Sequence, residues 1–176
     1  MPKDGRRFTI EEADKVLGII KPIIEKHNYN YEVCGSYRRK AKDVGDLDIL
    51  IENKDDNTLL HDDLTKFQLD WSGDSKIGFQ LNDMHVDIKF VDKQSWGAGL
   101  IHHTGPSGFN IKMRSIAKKK NLLLNEYGLF TRDEREVVAS KTEFEVLSAL
   151  MKEESVEKFM DPTVRKAPSW VTNRSK

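Results

Sequence analysis

Gly35-Ser36-Tyr37-Arg38-Arg39 and, after a short loop, Gly45-Asp46-Leu47-Asp48-Ile49-Leu50-Ile51 decide how this chain is read. Asp46–Ile51 is an apolar run of strand length, and it predicts a buried strand. Side chains alternate along a strand, so Asp46 and Asp48 share a face. No basic residue separates them, and two carboxylates so placed repel. A divalent cation relieves that repulsion, and Mg²⁺ prefers hard oxygen ligands. The preceding Gly35-Ser36 reads as a turn between this strand and an earlier one at Tyr31–Cys34. Gly35 lets the backbone approach a phosphate closely. Ser36 adds a hydroxyl, and Arg39 a guanidinium suited to terminal phosphates.

The chain has 176 residues, 38% hydrophobic and 33% charged, enough for one sizeable core or two small lobes. No apolar run is long enough to span a bilayer, and the N-terminus lacks the apolar region of a signal peptide. The expected location is the cytoplasm, neither secreted nor membrane-bound. The single cysteine, Cys34, excludes a disulfide framework and is expected to serve packing. Formal net charge is zero, which argues against a globally basic nucleic-acid binder. The charge is unevenly placed, however. Between Asp92 and Glu126 there is no acidic residue, while Lys93, Lys112, Arg114, Lys118, Lys119, Lys120, His102 and His103 fall there. A local basic patch suits a partner with phosphates.

Thr9 and Glu12 form a capping-box pattern ahead of Ile10, Ala13, Leu17, Ile20 and Ile24 at helical spacing, with Pro22 expected to kink or divide the helix. Leu59–Leu69 reads as a helix. Ile77–Leu81 and Met84–Val91 read as strands of a hairpin turning at Asn82-Asp83. In the second strand Val86, Ile88 and Phe90 alternate with His85, Asp87 and Lys89, which places Asp87 on the open face as a third carboxylate. Gly97-Ala98-Gly99 reads as a break. Ser107 is expected to cap a helix to about Lys120, with an apolar stripe of Phe109, Met113, Ile116 and Ala117 and a polar stripe of Asn110, Arg114 and Lys118. Leu122–Leu124 and Leu129–Phe130 read as strands, with a charged hairpin at Thr131–Glu136. Thr142 and Glu145 repeat the capping pattern before a helix through Met151, and the end from Asp161 to Lys176 reads as mostly irregular. Three carboxylates from two strands, beside a phosphate-holding turn, suit a two-metal site for nucleotidyl transfer.

These motifs resemble the nucleotidyltransferase superfamily, and within it DNA polymerase family X. The resemblance is carried by Val33-Cys34-Gly35-Ser36-Tyr37-Arg38-Arg39, Gly45-Asp46-Leu47-Asp48-Ile49-Leu50, Val86-Asp87-Ile88, and His103-Thr104-Gly105-Pro106-Ser107-Gly108-Phe109-Asn110-Ile111-Lys112-Met113-Arg114. Leu124-Asn125-Glu126-Tyr127-Gly128-Leu129-Phe130 and, more loosely, Met160-Asp161-Pro162-Thr163-Val164-Arg165 follow in the family's order. It implies an α+β fold: a nucleotidyltransferase palm with a mixed sheet and helices over residues 1–93, then a small α/β thumb over 94–176. The family's usual lyase and fingers region is not expected here, which makes the chain similar to the family's reduced viral members.

The resemblance also implies roles. Asp46, Asp48 and Asp87 would bind two Mg²⁺ ions, with Mn²⁺ an acceptable substitute, and Asp87 would activate the primer 3′-hydroxyl. Arg7, Gly35, Ser36, Arg39, His102, His103, Thr104, Gly105 and Asn110 would hold the nucleotide. Asn110 would read the minor groove of the incoming base. His85, Lys89, Arg114, Lys118, Lys119 and Lys120 would contact DNA. Lys89 is expected to pair with Asp48 in an empty site and with Glu126 once nucleotide binds. His102-His103 replaces two aromatics, which bears on sugar selectivity. The family carries a cis peptide after Gly105, and Pro106 makes a cis bond inexpensive there.

The expected function is template-directed addition of dNTPs to a primer 3′-hydroxyl, filling short gaps in repair. Expected partners are gapped or primer–template DNA and dNTPs, with a DNA ligase to seal the product, and no membrane. The protein is expected to be a monomer. Two other readings fit part of the pattern. A template-independent nucleotidyltransferase acting on RNA, DNA ends or a small substrate would share the carboxylates. A non-catalytic DNA-end binder would keep only the fold.

Overall fold

A computed structural model describes residues 5–166. The contacts divide the chain into two compact units, Met1–Asp92 and Lys93–Lys176. Together they have the mixed composition of an α+β protein.

The first unit is built on one five-stranded sheet. It opens with β1 (Phe8–Thr9) and α1 (Ile10–Lys26), capped as expected: Thr9 Oγ1 accepts from Glu12 N–H, and Glu12 accepts from the Thr9 N–H. Pro22 does not divide α1, which runs unbroken through it. Pro22 and Gly18 are both exposed, so the carbonyl that the proline leaves without a helical partner faces water. Ile20 and Ile24, fully buried on either side, hold the helix to the core.

Next come β2 (Tyr31–Val33), α2 (Gly35–Arg38), β3 (Asp43–Val44) and β4 (Leu47–Glu52). The expected Gly35-Ser36 turn is therefore the start of a single helical turn. α3 (Thr58–Leu64) is shorter than the helix expected over Leu59–Leu69. The remainder is a strand, β5 (Gln68–Ser72), exposed along its whole length at the sheet edge. Leu60, Leu64, Phe67 and Trp71 recur at steps of three or four residues, a spacing that a helix also satisfies. The hairpin of β6 (Lys76–Leu81) and β7 (Met84–Val91) is as expected, with positive φ at both Asn82 and Asp83.

The sheet order is β2-β4-β7-β6-β5, and only β4 and β7 run parallel. Leu47, Ile49, Ile51, Ile77, Phe79, Val86, Ile88 and Phe90 form one core with Ala13, Val16, Leu17, Ile20 and Ile24 of α1. One face is thus covered by α1, and the alternate residues of β4 and β7 are left for the other face.

The second unit contains α4 (Trp96–Thr104), α5 (Ser107–Lys119), β8 (Leu122–Asn125), β9 (Gly128–Thr131), β10 (Val137–Ala139), α6 (Glu143–Leu150) and α7 (Glu153–Phe159). β10, β9 and β8 form an antiparallel sheet. Phe109, Met113 and Ala117 of α5 are buried with Leu124, Leu129, Val146, Leu147 and Val156. Thr142 caps α6 by accepting from Glu145 N–H, as its sequence indicates. Pro106, not Ser107, occupies the N-cap of α5, and the Gly105–Pro106 peptide is cis. The C-terminal stretch, read as mostly irregular, contains a 3₁₀ turn at Pro162–Val164. Its last residues, 167–176, lie outside the described residues.

The supposed break at Gly97-Ala98-Gly99 lies inside α4. Its glycines answer a packing demand from a distant segment. A Cβ on Gly97 would stand 2.1 Å from the Thr142 carbonyl carbon, and the Gly97 and Ala98 N–H groups donate to Lys141 O and Ser140 O. Backbone cannot swing aside as a long side chain can. Gly97→Ala should therefore lower stability by about 1–3 kcal/mol despite alanine's better helix propensity. Urea unfolding of the two proteins measures this, and an unchanged midpoint would refute the close approach.

Candidate active site

The parallel pairing of β4 with β7 aligns Leu47 with Val86, Asp48 with Asp87, and Ile49 with Ile88. Residues directly paired in adjacent strands point to the same face. Leu47, Ile49, Val86 and Ile88 enter the core, so Asp48 and Asp87 face away from it side by side. Asp46 stands one residue before β4. The carboxylates predicted from separate strands are thus brought together by register.

The Gly35 segment is fastened to this pair. Cys34 N–H donates to Asp48 O at 2.7 Å. Gly35 has φ +61°, and a Cβ there would lie 2.9 Å from Asp48 Oδ2. Glycine meets both demands, the left-handed backbone and the carboxylate against it. Arg39 closes the turn, its N–H donating to Gly35 O. Burial lowers the Arg39 pKa, Asp48 opposes that shift, and the nearby Arg7 guanidinium adds to it. Arg39 therefore feels both the Asp48 carboxylate and the Arg7 guanidinium. Arg7 is also engaged with Asp43, through Nε at 2.8 Å from Asp43 Oδ1 and through the Asp43 carbonyl.

Burial, then repulsion from Asp46 and Asp87, raises the Asp48 pKa to about 7. Burial also raises that of Asp87, with His85 opposing it. The donor set is all oxygen and is short of positive charge, which is what a hard divalent cation would supply. A carboxyl that holds its proton more tightly folded than unfolded stabilises the fold at low pH. That contribution fades as pH rises from the unfolded value near about 4 to the folded one near 7. Without divalent cation, the melting temperature should fall over that window more than in Asp48→Asn. Mg²⁺ should restore it near pH 7.5, a pH at which the cation replaces the lost proton. Scans with chelator and with Mg²⁺ test this, and identical pH profiles for the two proteins would refute it.

In the second unit His102 and His103 end α4, with ring centroids 4.9 Å apart. His103 Nε2 lies 3.4 Å from Glu126 Oε2 in the β8–β9 turn. Thr104 is fully buried, and Gly105 caps α4 with φ +64°. Asn110, of the polar stripe, is 92% buried, and its Nδ2 donates to His102 O at 2.8 Å. Arg114 Nε donates to Asn110 O. His102, Asn110 and Arg114 line one small hollow. Lys118, Lys119 and Lys120 are exposed at the end of α5.

Not every cavity follows the carboxylates. A hollow of about 550 Å³, lined by Tyr31, Glu32, Tyr37 and Arg38 among others, contains none of them. Sequence reading missed two residues that do adjoin the site, Asp70 and Trp71, because the helix expected over Leu59–Leu69 took in the start of β5 and no element was assigned from there to Ile77. The one available signal was the Gln68-Leu69-Asp70-Trp71-Ser72 alternation. The ring of His85, a residue expected to contact DNA, lies between Asp70 and Asp87, at 2.8 and 2.9 Å.

Comparison with known proteins adds a family pattern to this geometry. Residues 7–96 match the DNA polymerase beta palm, and residues 99–153 the DNA polymerase beta thumb. The chain is 30% identical over 152 residues to the DNA polymerase/3′-5′ exonuclease PolX of Bacillus subtilis, covering 81% of this chain and 26% of that protein. It is 30% identical over 132 residues to the Repair DNA polymerase X of African swine fever virus, covering 69% of this chain and 75% of the viral protein.

Proposed function

We propose, from the premise that this chain belongs to DNA polymerase family X, that it adds deoxynucleotides to a primer 3′-hydroxyl under the direction of a template and fills short gaps in repair. The observation that carries this reading is the alignment of Asp48 with Asp87, with the Gly35 backbone pressed against the Asp48 carboxylate. Asp46, Asp48 and Asp87 would hold two divalent cations, which supply charge neutralisation at the triphosphate and a more acidic primer hydroxyl. The remaining work falls to the chain's own groups. The Gly35-Ser36 segment and Arg39 hold the triphosphate, and Arg7 adds a second guanidinium. Asp87 orients the primer hydroxyl in line with the phosphate under attack. His102, His103 and Asn110 contact the incoming nucleotide, and Arg114 and the basic end of α5 grip DNA phosphates.

The finer terms of the proposal are two Mg²⁺ ions, gap filling, action as a monomer and hand-over of the nick to a DNA ligase. Primer extension across a one-nucleotide gap, with each dNTP and rNTP offered singly against each template base, tests it. Incorporation that follows the template base supports the reading. Incorporation indifferent to the template would replace it with template-independent nucleotidyl transfer. No incorporation in Mg²⁺ or Mn²⁺ would overturn it.

A further inference from the structure

The face that carries Asp87 holds another acid. β5 pairs with β6 in the register Leu69 to Phe79 and Trp71 to Gly78, so two residues of β5 span one step of β6. Asp70 is the extra residue, a bulge at the sheet edge. A bulge breaks the strand's alternation and re-aims a side chain. Here it directs Asp70 Oδ2 to His85 Nδ1 at 2.8 Å, and Gln80 Nε2 donates to the same oxygen at 3.3 Å. The other ring nitrogen of His85, Nε2, lies 2.9 Å from Asp87 Oδ1.

The imidazole is held on a further side. Its side chain is 12% exposed, and the Trp71 ring packs 4.8 Å from it, centroid to centroid. Trp71 reaches this place by lying across Gly78, where a Cβ would meet the indole at 2.2 Å. Gly78 is the β6 residue paired with Asp87 itself. Bulge, glycine, indole and imidazole thus form one construction around a single carboxylate oxygen.

We propose that Asp70 and His85 are positioning residues that fix the Asp87 carboxylate for cation binding. The proposal rests on the reading of Asp87 as a cation ligand. A freely rotating carboxylate must lose rotamer freedom when it binds an ion, whereas one already tied at Oδ1 loses less. Carboxylate–histidine pairs that orient a metal ligand change affinity or activity by about 10–100-fold when removed. Neither residue is required to touch nucleotide or DNA for this effect.

The experiment measures Mn²⁺ binding by electron paramagnetic resonance in wild type, Asp70→Ala, His85→Ala, His85→Gln and Asp87→Asn, together with kcat and KM for dNTP. Asp70→Ala and His85→Ala should each weaken the tighter Mn²⁺ site about 10–100-fold and lower kcat similarly, with KM for dNTP within about threefold. His85→Gln, whose amide can still donate to Asp87, should recover most of the loss. In the Asp87→Asn background, Asp70→Ala should change nothing further, because its effect passes through Asp87. Asp70→Asn, nearly isosteric, gives the comparison if the alanine variant unfolds. Normal Mn²⁺ binding in Asp87→Asn would overturn the reading of the site and this inference with it. Weakened binding in Asp87→Asn but normal binding in Asp70→Ala and His85→Ala would overturn the inference alone, as would additive losses in the Asp87→Asn background.

Discussion

Asp87→Asn should lower single-turnover incorporation by about a thousandfold, or about 4 kcal/mol, while nucleotide affinity stays within about threefold. Asparagine keeps the side chain's shape, and its amide can still hydrogen-bond His85 Nε2, so the sheet has no reason to rearrange. What is lost is one negative charge at the position aligned with Asp48. The groups assigned to the triphosphate lie elsewhere, at Gly35, Ser36 and Arg39 beside Asp48. A change in the rate with binding spared is therefore the signature of a group that acts at the primer hydroxyl. Rapid-quench kinetics on gapped DNA, with nucleotide titrated, separate the two. Turnover near wild type in Asp87→Asn would end the carboxylate assignment.

Asp48→Asn should differ. Its carboxylate abuts Gly35 and influences Arg39, so both rate and nucleotide affinity should suffer.

Much of this site is legible in the sequence alone. The apolar run Leu47–Ile51 and the alternation Val86, Ile88, Phe90 define which faces are buried, so the placement of Asp48 and Asp87 on open faces follows from period alone. The capping residues Thr9 and Thr142 announce their helices by local chemistry. What stayed hidden depends on segments far apart in the chain. Nothing local says that Gly97 belongs to a helix, since its lack of a side chain answers to Thr142. Nothing local says that Asp70 is a bulge, because a bulge exists only relative to β6. The same is true of Asn110. Its spacing with Arg114 and Lys118 marks a polar stripe, but not that its amide is spent on the His102 carbonyl or that it is largely buried. Period reports the face of an element, and it is silent about what lies across from that face.

Arg165→Met should destabilise the second unit by about 3–5 kcal/mol, a larger effect on folding than any other substitution considered above. Arg165 follows the Pro162–Val164 turn, and its side chain is fully buried. Nε donates to Phe159 O at 2.8 Å, at the end of α7. Nη1 donates to Glu143 Oε2 at 2.8 Å, in the first turn of α6. The guanidinium carbon lies 5.6 Å from the ring centre of Phe109 in α5. One side chain therefore ties the C-terminal segment to three helices. Glu143 is only 6% exposed, so removal of the arginine takes a counter-charge away from a buried carboxylate. The penalty comes from that lost compensation more than from any net attraction of the pair, and this makes the claim separable. Glu143→Leu with Arg165→Met should recover most of the stability lost in Arg165→Met alone, because apolar replacement of a buried pair is often neutral. For a unit of this size, the single variant should melt at least about 12 °C lower. Thr142, the N-cap of α6, is braced against Gly97 of α4, whose last turn holds His102 and His103. A loosened α6 should thus also raise KM for nucleotide without altering Mn²⁺ binding at the carboxylates of the first unit. Differential scanning calorimetry of the two single variants and the double variant tests the argument. A single-variant loss below about 1 kcal/mol, or a double-variant loss equal to the sum of the singles, would show that Glu143 does not depend on Arg165 for its burial.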